Sequence, residues 1–150
     1  MSGGGVQIIG LAQVNAQLAG IEADLKRATR KATAHAAHLA EAAIKQMLST
    51  SSHPKNTPTP SAPGEPPSLI SGTLRRSIKV VGPVPTGNGR WMAEVGPTAV
   101  YGRIQELGGT AGHGYELPPR PYVMPAYEAL VAGGAIARAY QAAWRAALAH

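Results

Sequence analysis

Apolar residues recur along the first third of the chain with the period of an α-helix. From Leu11 to about Ser49 they are separated by intervals of three, four or seven residues, which places them on one helix face. The stripe consists of Val14, Leu18, Ile21, Leu25, Ala28, Ala32, Leu39, Ala43 and Met47. Charged residues lie off the stripe, and the many alanines favour a helix throughout. The pattern predicts one long amphipathic helix.

The segments on either side of this helix have a different composition. Gly3–Gly5 predicts a flexible N-terminus over residues 1–5, and Val6–Ile9 predicts a short strand that Gly10 ends. Ser51–Pro67 favours an extended loop or arm, because proline lacks a backbone donor and fixes φ. A solvated linker and a partner-binding arm are both compatible with this composition. The prolines of the arm are Pro54, Pro58, Pro60, Pro63, Pro66 and Pro67.

The middle of the chain predicts a short helical turn followed by a β-hairpin. Leu69–Ser77 suits the helical turn, and Ile78–Val84 suits a strand. Asn88-Gly89 is typical of a tight hairpin turn, because both residue types tolerate positive φ. Arg90–Val95 then alternates as a strand does. Its residues on one face are Trp91, Ala93 and Val95.

The last third predicts two further helices joined by extended chain. Thr98 is placed to cap a short helix that runs through Leu107, and Gly108–Gly114 is expected to be a flexible loop. Tyr115–Met124 supplies an extended segment, and Pro125 suits the first position of a final helix to about Ala149. The fold expected is α+β, with a small antiparallel sheet packed against a long N-terminal helix and a C-terminal helix.

Composition narrows the class of protein. The 150 residues suit one domain, 1–150, and the formal net charge is +6. The absence of cysteine excludes disulfides, thiolate metal sites and a cysteine nucleophile. No apolar run reaches the roughly 18 residues of a membrane span, and the N-terminus does not resemble a signal peptide. We expect a soluble, intracellular protein without a membrane partner.

Candidate catalytic and metal-binding patterns are weak. His35 and His38 are three residues apart on the long helix, but no third ligand with a metal-site spacing accompanies them. Gly108–Gly114 is rich in glycine, yet it lacks the lysine and the strand-to-helix context of a phosphate-binding loop. No serine lies in a nucleophile-elbow motif, and the carboxylates are scattered singly. We expect no enzymatic activity, no metal and no cofactor.

Two basic clusters make a small DNA-binding protein the alternative. Their positive charges could neutralise several phosphates, and a DNA-binding role would make the affinity fall steeply with salt. Acidic Glu22 and Asp24 lie on the same helix as the first cluster, and aromatic residues for base stacking are few. The clusters are Lys26, Arg27, Arg30 and Lys31, and then Arg75, Arg76 and Lys79.

Four short motifs in a fixed order resemble one protein family. Ser71–Ile78 (SGTLRRSI) is followed by a strand that ends in Glu94–Gly96, and then by Tyr101–Gly108 (YGRIQELG). Arg120–Ala126 (RPYVMPA) precedes the terminal helix. These elements are similar to those of the tail-completion proteins of tailed bacteriophages, which are minor tail or head–tail joining components. Mild departures are Gly102 in place of alanine, Gly109 in place of threonine and Tyr122 in place of phenylalanine.

The resemblance implies a structural role in a phage particle. Such a protein forms a ring at the neck or at the head-proximal end of the tail, where it completes the tail and joins it to the head. Its partners would be further copies of itself as a cyclic oligomer, taken as a hexamer, and neighbouring tail-terminator, head-closure or adaptor proteins. Phage DNA would pass through the channel, and the protein would be located in the virion after assembly in the bacterial cytoplasm.

The motif residues supply candidate contact positions. Glu106 lies near the end of its predicted helix, which is unfavourable for a negative charge, so we expect a partner such as Arg120. Leu74 and Ile78 should face the core, and Tyr101, Ile104 and Leu107 should anchor the short helix. The residues expected at subunit or partner interfaces are Arg75, Arg76, Lys79, Tyr101, Glu106, Arg120 and Tyr122.

Overall fold

The computed structural model describes residues 9–50 and 59–149 of the chain. The glycine-rich N-terminus, all but the last residue of the predicted strand at 6–9, and Pro54 and Pro58 lie outside the described residues. The described part begins with α1, Leu11–Met47, which confirms the prediction of one long helix. It starts after Gly10, whose φ of 95° gives the chain a sharp change of direction.

The apolar stripe of α1 is buried over only part of its length. Among the stripe residues, Ala28 and Ala32 are buried, and those half-buried are Leu25, Leu39, Ala43 and Met47. Ala37 and Ile44 are also buried but lie outside the predicted stripe. The stripe residues between 11 and 21 are exposed, because nothing in the described part of the chain packs there.

A short helix and a hairpin follow the proline-rich segment. Helix α2, Thr73–Ser77, leads into β1, Ile78–Gly87, which pairs antiparallel with β2, Arg90–Pro97. The turn between the strands has positive φ at Asn88 (51°) and Gly89 (72°), so the hairpin prediction is confirmed. Along β2 the half-buried and exposed positions alternate as the sequence predicts.

The next segment contains more regular structure than its glycines predict. Helix α3 covers Gly102–Leu107. It is followed by β3, Gly109–Ala111, a single 3-10 turn, and β4, Tyr115–Leu117, which pairs antiparallel with β3. The expected flexible loop is thus a small second hairpin. Thr98 does not cap α3, because its hydroxyl donates to the Ser77 carbonyl at 3.1 Å instead.

The C-terminal helix is two helices. Helix α4, Val123–Ala132, and helix α5, Ala135–Leu148, are separated at Gly133-Gly134, where Gly134 has φ of 67°. The final helix predicted from Pro125 to about Ala149 is thus interrupted at these two glycines, which together provide the left-handed residue that a helix break needs.

Helix α5 runs antiparallel along α1. The Tyr140 hydroxyl lies 2.8 Å from the Thr33 hydroxyl, and the Trp144 indole donates to the Thr29 hydroxyl at 3.1 Å. The rings of Tyr140 and Trp144 also meet edge to face with centroids 5.8 Å apart. These contacts fix the alignment of the two helices.

The core lies where the hairpin and α4 meet the C-terminal half of α1. Ile78 and Tyr122 are fully buried there, and Leu74 packs against them, so the prediction that Leu74 and Ile78 face the core is confirmed. The expected α+β class is confirmed, with long helices at both ends and small antiparallel strand pairs between them. The buried cluster is Ile44, Leu48, Ile78, Tyr122 and Ala126.

Candidate functional site

Glu106 connects α3 to the first turn of α4. Its Oε2 atom accepts hydrogen bonds from the backbone N–H of Tyr122 at 2.7 Å and of Val123 at 2.9 Å. Its Oε1 atom accepts a third bond from Met124 N–H at 3.0 Å. Helix α4 has no capping side chain of its own, so a carboxylate from another helix satisfies its free donors and compensates its dipole.

Arg120 is not the partner of Glu106, and the predicted pairing is wrong. The Arg120 side chain is buried, and its Nε donates to the Ser61 carbonyl at 2.9 Å. The neighbouring Gly64 N–H donates to the Pro119 carbonyl at 2.9 Å. Arg120 therefore attaches the end of the proline-rich segment to the body of the protein. The Glu106 carboxylate instead accepts backbone N–H groups at the start of α4.

Tyr122 lies between the two helices as the largest fully buried side chain in the described residues. Its hydroxyl donates to the Gly102 carbonyl at 3.0 Å. Burial, with the nearby Glu106 carboxylate as a smaller cause, raises the pKa of Tyr122 well above its usual range. The tyrosine is therefore neutral in the folded protein and serves as a hydrogen-bond donor.

Gly102 is required by the space around it. A Cβ atom at this position would lie 2.5 Å from Pro97 Cγ and 3.2 Å from the Tyr122 hydroxyl. The first distance is far shorter than a normal carbon–carbon contact. Gly102 stands where the family that the chain resembles has alanine, and Tyr122 stands where that family has phenylalanine. The two residues contact each other, so both departures belong to the same contact.

The inward face of α3 differs from the one predicted. Tyr101 and Leu107 are exposed, and Ile104 is half-buried, so the expectation that these three anchor the helix is wrong. Gly102 and Glu106, four residues apart, face inward instead. Apolar periodicity does not reveal this face, because the residues on it are a glycine and a charged residue.

The predicted basic interface residues lie apart from this unit. Arg75 donates to the Ser49 hydroxyl at 3.0 Å, and Arg76 donates to the Ser71 carbonyl at 3.0 Å. Lys79 is exposed on β1, opposite Gly96 of β2. Arg75 and Arg76 line a shallow groove with the end of α1, but the structure does not bring them to Glu106 or Arg120.

The first basic cluster has partners within the chain. Lys26 pairs with Glu22 at 2.6 Å, and Arg27 pairs with Asp24. The guanidinium of Arg30 lies over the Trp91 ring, 5.6 Å from its centroid. The two ion pairs offset two of the four positive charges that this cluster offers to a nucleic acid.

The described prolines of the arm become less exposed toward the C-terminal end of the arm. Pro60 and Pro63 are exposed, while Pro66 and Pro67 are half-buried. Residues 59–67 contain no helix or strand, as the composition predicts. Between the prolines, Ser61 is buried and contributes the carbonyl that Arg120 holds.

A large open groove lies beside the Glu106–Tyr122 unit. It encloses about 810 Å³ between α1, β2, α3, α4 and α5, and its walls are mainly apolar. The exposed side chains at its edges include Met92, Leu107, Met124 and Tyr127. Sequence reasoning missed this groove, because its walls come from five elements that are distant along the chain.

Within residues 9–50 and 59–149, no three His, Asp or Glu side chains cluster as metal ligands would. His38 Nδ1 lies 3.1 Å from the Glu41 carboxylate on the same helix, within hydrogen-bond distance. In the same part of the chain, no helix has both the length and the apolar character that crossing a membrane requires.

Comparison of the chain with protein-family models, with curated proteins and with solved structures found no significant match.

Proposed function

We propose that this chain is a structural component of a tailed-phage particle, which completes the tail and joins it to the head as a ring. The proposal rests on the four ordered motifs between Ser71 and Ala126 and on the resemblance that they carry. It requires no catalytic residue, no metal and no cofactor. Its mechanism is recognition between protein surfaces.

The motif residues support this proposal through their common position. Gly102, Glu106, Arg120 and Tyr122 come from two of the motifs, and together they fix α3, the start of α4 and the loop at Ser61. Their role is to hold a rigid framework. A rigid framework suits a protein that must present the same surface in every copy of an assembly.

The structural observation that supports contact between copies in such a ring is the open apolar groove beside this framework. Leu107, at its edge, has 62% of its surface exposed, and Met124 and Tyr127 are exposed to a similar degree. Neighbouring exposed apolar side chains of this kind favour a protein–protein contact. A neighbouring copy in a cyclic ring would cover the groove, because a heterologous contact repeats around a closed ring and leaves no groove empty.

The first test is the number of copies in the particle. Quantitative mass spectrometry of virions from the phage or prophage that encodes the chain should find a small fixed number, roughly six or twelve, as a closed ring requires. Cryo-electron microscopy of the head–tail junction should then show density for α1 and the hairpin. Absence of the chain from purified particles would overturn the proposal.

A second test uses matched substitutions on two exposed apolar residues. Leu107→Glu adds a charge at the groove, whereas Val100→Glu adds the same charge at a residue that is 97% exposed and outside the groove. In a phage lacking its own copy of the gene, the Leu107 variant should yield unjoined heads and tails, and the Val100 variant should yield normal particles. Equal yields from both variants would exclude the groove as the ring contact.

A further inference from the structure

The first three turns of α1 carry an apolar seam that has no partner in the described chain. Leu11, Val14, Leu18 and Ile21 are between 45% and 58% exposed. Their spacing of three, four and three residues is the heptad spacing of paired helices. The same spacing continues without a break into Leu25, Ala28 and Ala32.

The continuation of the seam shows what kind of partner fits it. Ala28 and Ala32 are buried, and the adjacent Thr29 and Thr33 contact α5, which packs antiparallel on α1. From Tyr140 to Trp144 the chain advances four residues along α5, and their partners Thr33 and Thr29 lie four residues back along α1. The same antiparallel register places Leu148 level with Leu25. Helix α5 therefore ends just before the exposed part of the seam, and about 15 Å of seam, from Leu11 to Ile21, is left for a second helix.

We propose that this exposed seam pairs antiparallel with the same seam of a second copy of the chain. With Leu11 opposite Ile21 and Val14 opposite Leu18, the two seams have equal length and cover each other completely. Such a pair is isologous, since the same patch serves both copies around a two-fold axis. The second copy's α1 begins where α5 ends and points in the same direction, so the two helix dipoles follow each other head to tail.

The charges on α1 favour this arrangement over a parallel one. Residues 11–21 contain no charged side chain, so two copies can approach without repulsion. Glu22, whose carboxylate is paired with Lys26 on the same helix but is largely exposed, follows directly, and in the antiparallel pair it lies level with Gly10 of the other copy. That helix start has neither a capping side chain nor an acidic residue in its first turn, so a carboxylate supplied from outside stabilises it. Parallel pairing would instead bring the glutamates of both copies to the same end.

Sedimentation velocity of the full chain at concentrations from roughly 5 to 200 μM tests the pairing, since a contact of this small size gives a weak dimer. We expect a monomer–dimer equilibrium. Leu18→Glu should weaken it roughly a hundredfold or more, because the substitution occurs twice in a symmetric pair. Ala16→Glu, which adds the same charge on the opposite face of α1, should leave it nearly unchanged. Both positions are exposed, so folding is unaffected.

Cysteine cross-linking tests the direction of the pair, and the chain contains no cysteine of its own. A Leu11→Cys chain and an Ile21→Cys chain, tagged to differ in mass, should cross-link with each other on oxidation and not with themselves. Self-cross-linking at either position would indicate parallel helices and overturn the proposal. A chain that is monomeric throughout, or that associates equally well with Leu18→Glu, would also overturn it. None of these results depends on the phage assignment, which the particle measurements test separately.

Discussion

The Glu106 carboxylate accepts the backbone N–H of Tyr122 at 2.7 Å, while the Tyr122 hydroxyl returns to α3 at the Gly102 carbonyl, 3.0 Å away. One residue of the loop before α4 is thus held by both ends of the same short helix. The structure fixes α4 through these bonds, since α4 itself contributes no capping side chain.

Glu106→Ala should destabilise the protein by about 1–2 kcal/mol, because it removes the acceptor for the free donors of α4. Glu106→Gln should cost less, since an amide oxygen still accepts one of the bonds but no longer compensates the helix dipole. The measurement is urea unfolding at neutral pH. The control is Glu128→Ala, which removes an exposed carboxylate of α4 and should change stability by no more than about 0.5 kcal/mol.

Tyr122 should make the protein sensitive to alkaline pH. Its pKa is raised in the folded state, so its contribution to stability is complete below the unfolded value of about 10 and is lost as the pH rises above it. The free energy of unfolding should therefore fall as the pH rises above about 10. Tyr122→Phe should flatten this fall, whereas Tyr115→Phe, at an exposed tyrosine, should not. Identical pH profiles for the two variants would contradict the prediction.

Gly102→Ala should destabilise the fold by about 1–3 kcal/mol, because the added Cβ overlaps Pro97. The matched control is Gly20→Ala, where a Cβ meets nothing within 4 Å and alanine is the better helix former. That change should stabilise by about 0.5–1 kcal/mol. Combining Gly102→Ala with Tyr122→Phe should cost less than the sum of the two changes, since the hydroxyl is one of the atoms that the new methyl group approaches. Strict additivity would show that the two positions are independent.

Arg120→Lys should release the end of the proline-rich segment without unfolding the domain. Lysine keeps the charge but lacks the planar donor group that binds the Ser61 carbonyl. The amide of Gly64, which donates to Pro119, should then exchange with solvent roughly tenfold faster, as expected for the loss of one supporting hydrogen bond. Arg103→Lys, at an exposed arginine of α3, is the control. An unchanged Gly64 exchange rate would show that Arg120 does not hold the segment.

Local sequence patterns predict α1, the hairpin and the α+β class, because each depends on residues within a few turns of helix or a few strand positions. Asn88-Gly89 is the sharpest example, since its residue types nearly determine the turn. The exposure of Leu18 is not accessible in this way. It depends on where α5 stops, more than a hundred residues later in the chain.

The partner of Glu106 could not be predicted for a related reason. A carboxylate near the C-terminal end of its own helix is expected to pair with a nearby cation, and the sequence offers Arg120. The actual partners are backbone N–H groups, which every residue except proline has, so no residue type in the sequence marks them. Gly102 and Tyr122 mark the site only as departures from a family pattern, and their contact becomes evident in three dimensions.

The carboxylate at the start of α4 also determines which ions that helix end tolerates. A free helix N-terminus attracts phosphate through its exposed N–H groups and its partial positive charge. Glu106 already fills this position in α4, so an approaching nucleic-acid backbone meets a negative charge and no available donors there. This end of α4 is therefore unsuited to binding phosphate or another anion.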